Sequence, residues 1–206
     1  MNNEIKRILE NYNDRMTPIR LLNHYHLLSR TLDLNLDGSI VELGTCDGIS
    51  TALLMAVMRW KNSEKDIYLF DSFQGLPELS KEDAGTAAFF QAGVFSVSKQ
   101  QLLNNISQYK IHGNTMIFEG WLKDTLFQLP DKICYAHLDG DLYESVRISL
   151  ENVYPRLSKD AICVIDDYSF KHLPGAKKAV DEFMKDKPEE ICDLCIKNFE
   201  QAFHAY

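Results

Sequence analysis

Nothing in the 206-residue chain reaches the ~18 consecutive apolar residues that a membrane-spanning helix needs. The opening residues Met1-Asn2-Asn3-Glu4 are too polar to begin a signal peptide. A cytoplasmic protein without a membrane span is expected. Runs of lysine or arginine are missing too, and 22 basic against 30 acidic residues give a net charge of -8. Binding to nucleic acid needs clustered cations to neutralise phosphates, so it is not expected here. Internal repeats, low-complexity tracts and linkers are absent, which predicts one domain over residues 1–206. Cysteine is scarce and odd in number, at five, which favours reduced thiols over a disulfide framework. Glycine is sparse as well. The glycine turn that follows a strand and opens a helix, Glu42-Leu43-Gly44-Thr45-Cys46-Asp47-Gly48, lacks the third glycine of a dinucleotide fingerprint.

What is present reads as alternating strands and helices. Residues 1–37 form an N-terminal helical segment, its clearer helix starting at Thr17-Pro18, with Leu21, Tyr25, Leu28 and Leu32 on one face. Strands are predicted at 39–43, 67–70, 115–118, 133–138 and 161–165, with the first and the last two buried. Helices are predicted at 50–60, 99–109, about 141–154 and 175–185. Residues 72–97 carry scattered glycines and little pattern, and a loop of that length in a domain is usually functional, often a lid. Phe89, Phe90 and Phe95 either cover a substrate from it or anchor it. The tail, Ile191 to Cys195 and Ala202 to Tyr206, alternates as a closing antiparallel hairpin would. The whole reads as an α/β fold with a doubly wound, mainly parallel sheet.

Carboxylates mark the ends of two strands: Asp139 in His137-Leu138-Asp139-Gly140-Asp141, and Asp166-Asp167 after Val164-Ile165. Open α/β sheets bind ligands where strands leave the sheet. Like charges gathered there need an offsetting cation or a shared proton. An all-oxygen set suits a hard ion such as Mg²⁺. The alternative makes Asp139 and Asp141 helix caps and Asp166-Asp167 a turn, and Asp141 with Glu144 does have capping-box spacing. Gly44, Thr45 and Gly48 are candidates for a backbone that approaches a ligand closely. Glu42 and Asp71 end their strands where a cation and a ribose would sit. S-adenosylmethionine offers both. The competing reading is a packing turn. Trp121 either stacks on an adenine or belongs to the core. His24 and His26 are expected at the surface, since residues two apart on a helix do not share a face. Cys192-x-x-Cys195 has no matching second pair and is read as packing.

Five segments, in order, resemble the macrocin O-methyltransferase family: Gly38-Ser39-Ile40-Val41-Glu42-Leu43-Gly44, Asp71-Ser72-Phe73-Gln74-Gly75-Leu76-Pro77, Gly120-Trp121-Leu122-Lys123-Asp124-Thr125-Leu126, Leu138-Asp139-Gly140-Asp141-Leu142-Tyr143-Glu144-Ser145 and Ile165-Asp166-Asp167-Tyr168. The resemblance implies a class I, Rossmann-like fold and Mg²⁺- and S-adenosylmethionine-dependent methylation of sugar hydroxyls on natural products. It also implies that Asp139, Asp166 and Asp167 hold the metal, with Asp139 assisting deprotonation. Glu42, Gly44, Asp71, Ser72, Gly120 and Trp121 would line the cofactor site. The partner would be a small-molecule hydroxyl acceptor, and a homo-oligomer is a family-level expectation. A catechol-type O-methyltransferase and a non-catalytic S-adenosylmethionine-binding module are the alternatives. Cys46-Asp47 departs from the bulkier pair expected after the first glycine.

Overall fold

Five apolar segments build one parallel sheet in the computed structural model, which describes residues 3–10 and 16–192. In chain order they are β1 (Ser39–Leu43), β2 (Ile67–Asp71), β3 (Thr115–Glu119), β4 (Ile133–Leu138) and β5 (Leu157–Ile165). Their order across the sheet is β3-β2-β1-β4-β5, every neighbour parallel. The chain therefore winds outward from β1 in one direction and from β4 in the other. The switch point lies between these two strands, where such folds open a crevice. Both central strands are mostly apolar, interrupted by Glu42 and His137, and β4 is buried at every position, as expected of strands covered on both faces.

The helices are α1 (Asn3–Glu10), α2 (Pro18–Asp33), α3 (Ile49–Trp60), α4 (Lys99–Ile106), α5 (Leu122–Thr125), α6 (Tyr143–Val153) and α7 (Pro174–Met184). None is long and apolar enough among the described residues to cross a membrane. α3 is apolar nearly all round because α1, α2 and α4 enclose it against the sheet, and Ser50 to Met58 are all buried. α6 and α7 pack on the opposite face.

Three predicted boundaries shift, each for a local reason. β5 begins at Leu157 rather than Ala161. Leu157 pairs with Ile133 and Ile162 with Tyr135, so polar residues bulge between these partners, with Asp160 at φ 63°. α4 stops at Ile106, three residues early. α6 begins at Tyr143, and Asp141 does not cap it: Asp141 lies at φ 57° and α6 has no side-chain cap from its own N-cap residue, Leu142. The expected C-terminal hairpin and Cys195 lie outside the described residues. Cys134, Cys163 and Cys192 form no disulfide among the described residues.

Gly44 closes the junction of the central strands. Its φ is 88°, its N–H donates to the Phe70 carbonyl, and an added Cβ would lie 2.0 Å from the Asp139 carbonyl oxygen. Gly44→Ala therefore combines left-handed strain with a backbone clash. A loss of about 2–4 kcal/mol is expected in denaturant titration. A wild-type midpoint would show that the junction can open.

Candidate active site

A cavity of about 560 Å³ lies at the carboxyl ends of the strands, and all five strands supply residues to its walls. Gly44 and Cys46 come from the turn after β1, Asp71 and Ser72 from the end of β2, and Trp121 from the turn after β3. Asp139 and Asp141 leave β4, and Asp167 leaves β5. Each strand ends here because the strands run parallel, so one edge of the sheet gathers all the carboxyl-terminal turns.

Not every sequence candidate reaches this cavity. Gly44, Asp71, Ser72, Trp121, Asp139 and Asp167 line it, which places Trp121 on the wall rather than in the core. Asp166 stands directly behind, its side chain 5% exposed. Thr45 and Gly120 act in the backbone: Thr45 N–H donates to Asp71 Oδ2 at 2.8 Å, and Gly120 N–H to the Asp71 carbonyl at 2.9 Å. Gly48 faces α4, where an added Cβ would meet Leu102. Glu42 is fully buried, accepting from the Thr51 hydroxyl at one oxygen and pairing with His137 Nδ1 at the other. Both of its oxygens are occupied inside the core, where strand alternation places them. Asp71 does two jobs at once. Its Oδ2 accepts from Thr45 and Cys46 N–H and its Oδ1 from Phe73 N–H, so it locks the glycine turn to the end of β2 while still facing the cavity.

The carboxylate end of the cavity is strongly charged. Asp139, Asp166 and Asp167 each offer an oxygen within 4.8 Å of the others, and Asp141 is near enough to feel the charges of Asp166 and Asp167. Burial pushes Asp139 and Asp141 well above the ordinary carboxyl range, and the neighbouring Asp166 and Asp167 add to the shift. Asp166 is raised by burial, partly offset by Arg20. Arg20, on the first turn of α2, enters from the side. Its Nη2 lies 2.9 Å from Asp166 Oδ2 and donates to Asp167 Oδ1 at 2.9 Å. Burial alone would lower its pKa, but Asp166 and then Asp167 more than offset that. One guanidinium faces four carboxyls, so the cluster is short of positive charge. Among the described residues Asp167 Oδ2 is buried with no hydrogen-bond partner, and Asp166 Oδ2 has only the ion-pair approach of Arg20. Buried oxygens in that state, in an all-oxygen set, fit a hard divalent cation.

Residues 72–97 roof the cavity. At the loop's neck Leu76 N–H donates to the Val94 carbonyl and Gly93 N–H to the Leu76 carbonyl, and Gly75 at φ 78° fits there because a Cβ would strike the Val94 carbonyl. Phe89, Phe90 and Phe95 pack edge to face with centroids 5.3–5.9 Å apart, and Phe90 reaches Phe170 at 6.0 Å. The loop's foot is Asp83, 3% exposed, which accepts from Ser80 N–H and from the Tyr143 N–H that opens α6. Thus the cap that Asp141 was expected to give α6 comes from a residue sixty positions away. Asp83→Ala leaves that N–H unpaired and releases the roof. A loss of about 1–2 kcal/mol and faster proteolysis within 77–92 are expected; unchanged cleavage would mean the neck alone holds the loop.

Arg20, Asp141, Asp83 and His24 are the residues sequence reasoning missed or misplaced. His24 is buried rather than at the surface, bonded through Nδ1 to the Tyr135 hydroxyl at 2.7 Å. A signal for it existed: Leu21, His24, Leu28 and Thr31 form the buried stripe of α2. His26 is exposed as expected.

Residues 14–193 match the macrocin-O-methyltransferase (TylF) family. Demethyldecarbamoylnovobiocin O-methyltransferase of Streptomyces niveus is 32% identical over 171 residues, 80% of this chain and 64% of its own length. A tetracenomycin-pathway 4'-O-methyltransferase of Streptomyces olivaceus, named for its dimethoxy-rhamnosyl substrate, is 34% identical over the same shares. The chain thus spans just under two thirds of these relatives. The solved O-methyltransferase NovP superposes with a TM-score of 0.79 at 29% identity, covering 87% of this chain and 77% of that one. A calicheamicin methyltransferase shares the fold at 20% identity and a TM-score of 0.68. A family match over most of the chain, with relatives above 30% identity across four fifths of it, makes this chain a member of the macrocin-O-methyltransferase (TylF) family.

Proposed function

We propose that the chain is an S-adenosylmethionine- and Mg²⁺-dependent O-methyltransferase acting on a sugar hydroxyl of a glycosylated small molecule. The observation that carries this reading is one cavity with two chemically distinct ends. A glycine turn, Asp71 and Trp121 form one end, and the under-neutralised carboxylates form the other. The name of the Streptomyces olivaceus relative, which specifies a rhamnosyl-bearing substrate, supports the acceptor class. The thiols of Cys134, Cys163 and Cys192, unbridged among the described residues, fit a cytoplasmic setting.

S-adenosylmethionine supplies an electrophilic methyl group on a sulfonium. Asp71, Ser72 and Trp121 would orient it, with Gly44 leaving its turn open to close approach. Asp139, Asp166 and Asp167 would hold Mg²⁺, which lowers the pKa of a coordinated hydroxyl. Asp139, on the cavity wall, takes the hydroxyl proton at its carboxylate as general base. Arg20 holds Asp166 and Asp167 in place. The phenylalanine roof keeps water from the reacting groups, and the rigid strand ends contribute alignment. That apolar roof would also seat a flat phenol, so a catechol-type acceptor is the second reading.

Methyl transfer from labelled cofactor to a panel of glycosylated natural products, vicinal-diol sugars and catechols separates the two. Transfer to sugar hydroxyls that stops in EDTA and returns with Mg²⁺ is expected. Transfer to catechols alone would favour the second reading, and transfer unaffected by EDTA would remove the metal.

A further inference from the structure

Behind the carboxylate cluster lies a buried polar column that the proposed methyl transfer does not use. His137 sits two residues before Asp139 on β4, so both side chains leave the same face of the sheet. His24 follows Arg20 by four residues on α2 and therefore lies one turn deeper on the same helix face. Their rings meet edge to face at 4.2 Å between centroids. Both residues are almost completely enclosed, at 0% and 1% exposure. Asp166 completes the group, and the three residues each offer a ligand atom within 4.8 Å of the other two.

The hydrogen bonds around the rings show which nitrogens are occupied. His137 Nδ1 lies 3.0 Å from Glu42 Oε1, and a carboxylate there requires the proton on Nδ1. His24 Nδ1 lies 2.7 Å from the Tyr135 hydroxyl. Each imidazole is thus held at Nδ1, leaving Nε2 as its ligating atom. His137 Nε2 is buried with no hydrogen-bond partner among the described residues. In the neutral ring it is a lone pair without a donor. In the charged ring it is an N–H without an acceptor. Either state leaves a buried polar atom unsatisfied, which native interiors rarely tolerate.

A histidine fixed at Nδ1 by a carboxylate, lying beside a second histidine and another carboxylate, has the surroundings of a metal ligand. We infer that His24, His137 and Asp166 form a second cation site, suited to a borderline-soft divalent ion of the Zn²⁺ or Co²⁺ kind. The two nitrogens separate it from the all-oxygen cluster above, which suits Mg²⁺. Glu42 and Tyr135 orient the ligands and do not touch the ion. Asp166 is where the two sites meet. Arg20 also donates to Asp167 Oδ1, so its place does not rest on Asp166 alone. This site stands on its own residues and does not depend on the methyltransferase reading.

Co²⁺ titrated into chelator-treated protein tests it, read by visible d–d absorption and by metal bound per chain. The nitrogen-ligated signal is expected to persist in Asp139→Asn, which alters only the outer cluster, and to vanish in His24→Gln and in His137→Gln. Glu42→Gln should weaken Co²⁺ about 10–100-fold. In the unmodified protein, Zn²⁺ should shift the Nε2 resonances of both histidines in ¹⁵N spectra, a readout that needs no variant to fold. Co²⁺ absorption that disappears with Asp139→Asn and ignores the histidines would overturn the assignment. So would unshifted histidine resonances at saturating Zn²⁺, which would make the pair a neutral core contact around a trapped water.

Discussion

Replacing Arg20 by glutamine lowers the melting temperature of the metal-free protein and, at the same time, tightens its hold on Mg²⁺. Both effects come from one charge balance. The guanidinium lies 2.9 Å from Asp166 Oδ2 and from Asp167 Oδ1, and its side chain is 20% exposed. Removing one partner of a largely buried ion pair leaves the other uncompensated, at a cost of about 3 kcal/mol. For a domain of this size that corresponds to a fall of roughly 6–12 °C. A divalent cation neutralises the same carboxylates, so Arg20 interacts more strongly with the empty cluster than with the filled one. Linkage then requires that cation and Arg20 oppose each other. Without Arg20, Mg²⁺ affinity should rise on the order of tenfold. Weaker Mg²⁺ binding in the variant would mean that Arg20 acts chiefly by aiming the carboxylates.

The same cluster fixes a pH dependence. Asp139, Asp141 and Asp166 have folded-state pKa values raised above the ordinary 3.8. Between 3.8 and those raised values the unfolded chain has already lost protons that the folded chain retains. Stability contributed by these groups is therefore complete below pH 3.8 and is lost as pH rises through the folded values. Mg²⁺ favours the ionised carboxylates and removes that loss. The melting-temperature gain on adding Mg²⁺ should accordingly grow from pH 5 to pH 8 (conditions chosen around neutrality).

Asp139→Ala carries the largest expected effect on turnover. Asp139 and Asp167 both line the cavity wall and belong to the close triad with Asp166, and of these two Arg20 donates to Asp167. Loss of Asp139 removes the proposed base and one metal ligand together. Methyl transfer should fall about 10²–10⁴-fold from the base alone. S-adenosylhomocysteine affinity should barely move, because the Gly44–Asp71–Trp121 end of the cavity is untouched. Single-turnover transfer alongside calorimetry measures both. Near-normal turnover would assign proton removal to another group, and a large loss of cofactor affinity would show that the two ends of the cavity are coupled.

The sheet was legible because its strands are short apolar runs punctuated by glycine turns, and the aspartates stood out because each follows such a run. The miss at Asp141 has a definite cause. Capping-box spacing is a local signal, whereas the residue that caps α6, Asp83, comes from a distant loop. Glu42 looked like a ligand-binding strand end, yet its side chain turns into the core toward Thr51 and His137. Arg20 and His24 were hidden differently. Their role depends on α2 packing over the ends of β4 and β5, and no spacing within α2 reports which strands lie beneath it. The long patternless segment was recognisable as a loop, but its closure through Leu76–Val94 and its aromatic contacts are tertiary facts.

The most direct test of the account is calorimetric titration of S-adenosylhomocysteine, and then of Mg²⁺, into EDTA-treated protein and its Asp166→Ala variant. Both proteins should bind S-adenosylhomocysteine with micromolar-class affinity, and only the wild type should then bind Mg²⁺ at the carboxylate cluster. Absence of S-adenosylhomocysteine binding by the wild type would contradict the methyltransferase reading, and equal Mg²⁺ binding by the two proteins would contradict the metal site.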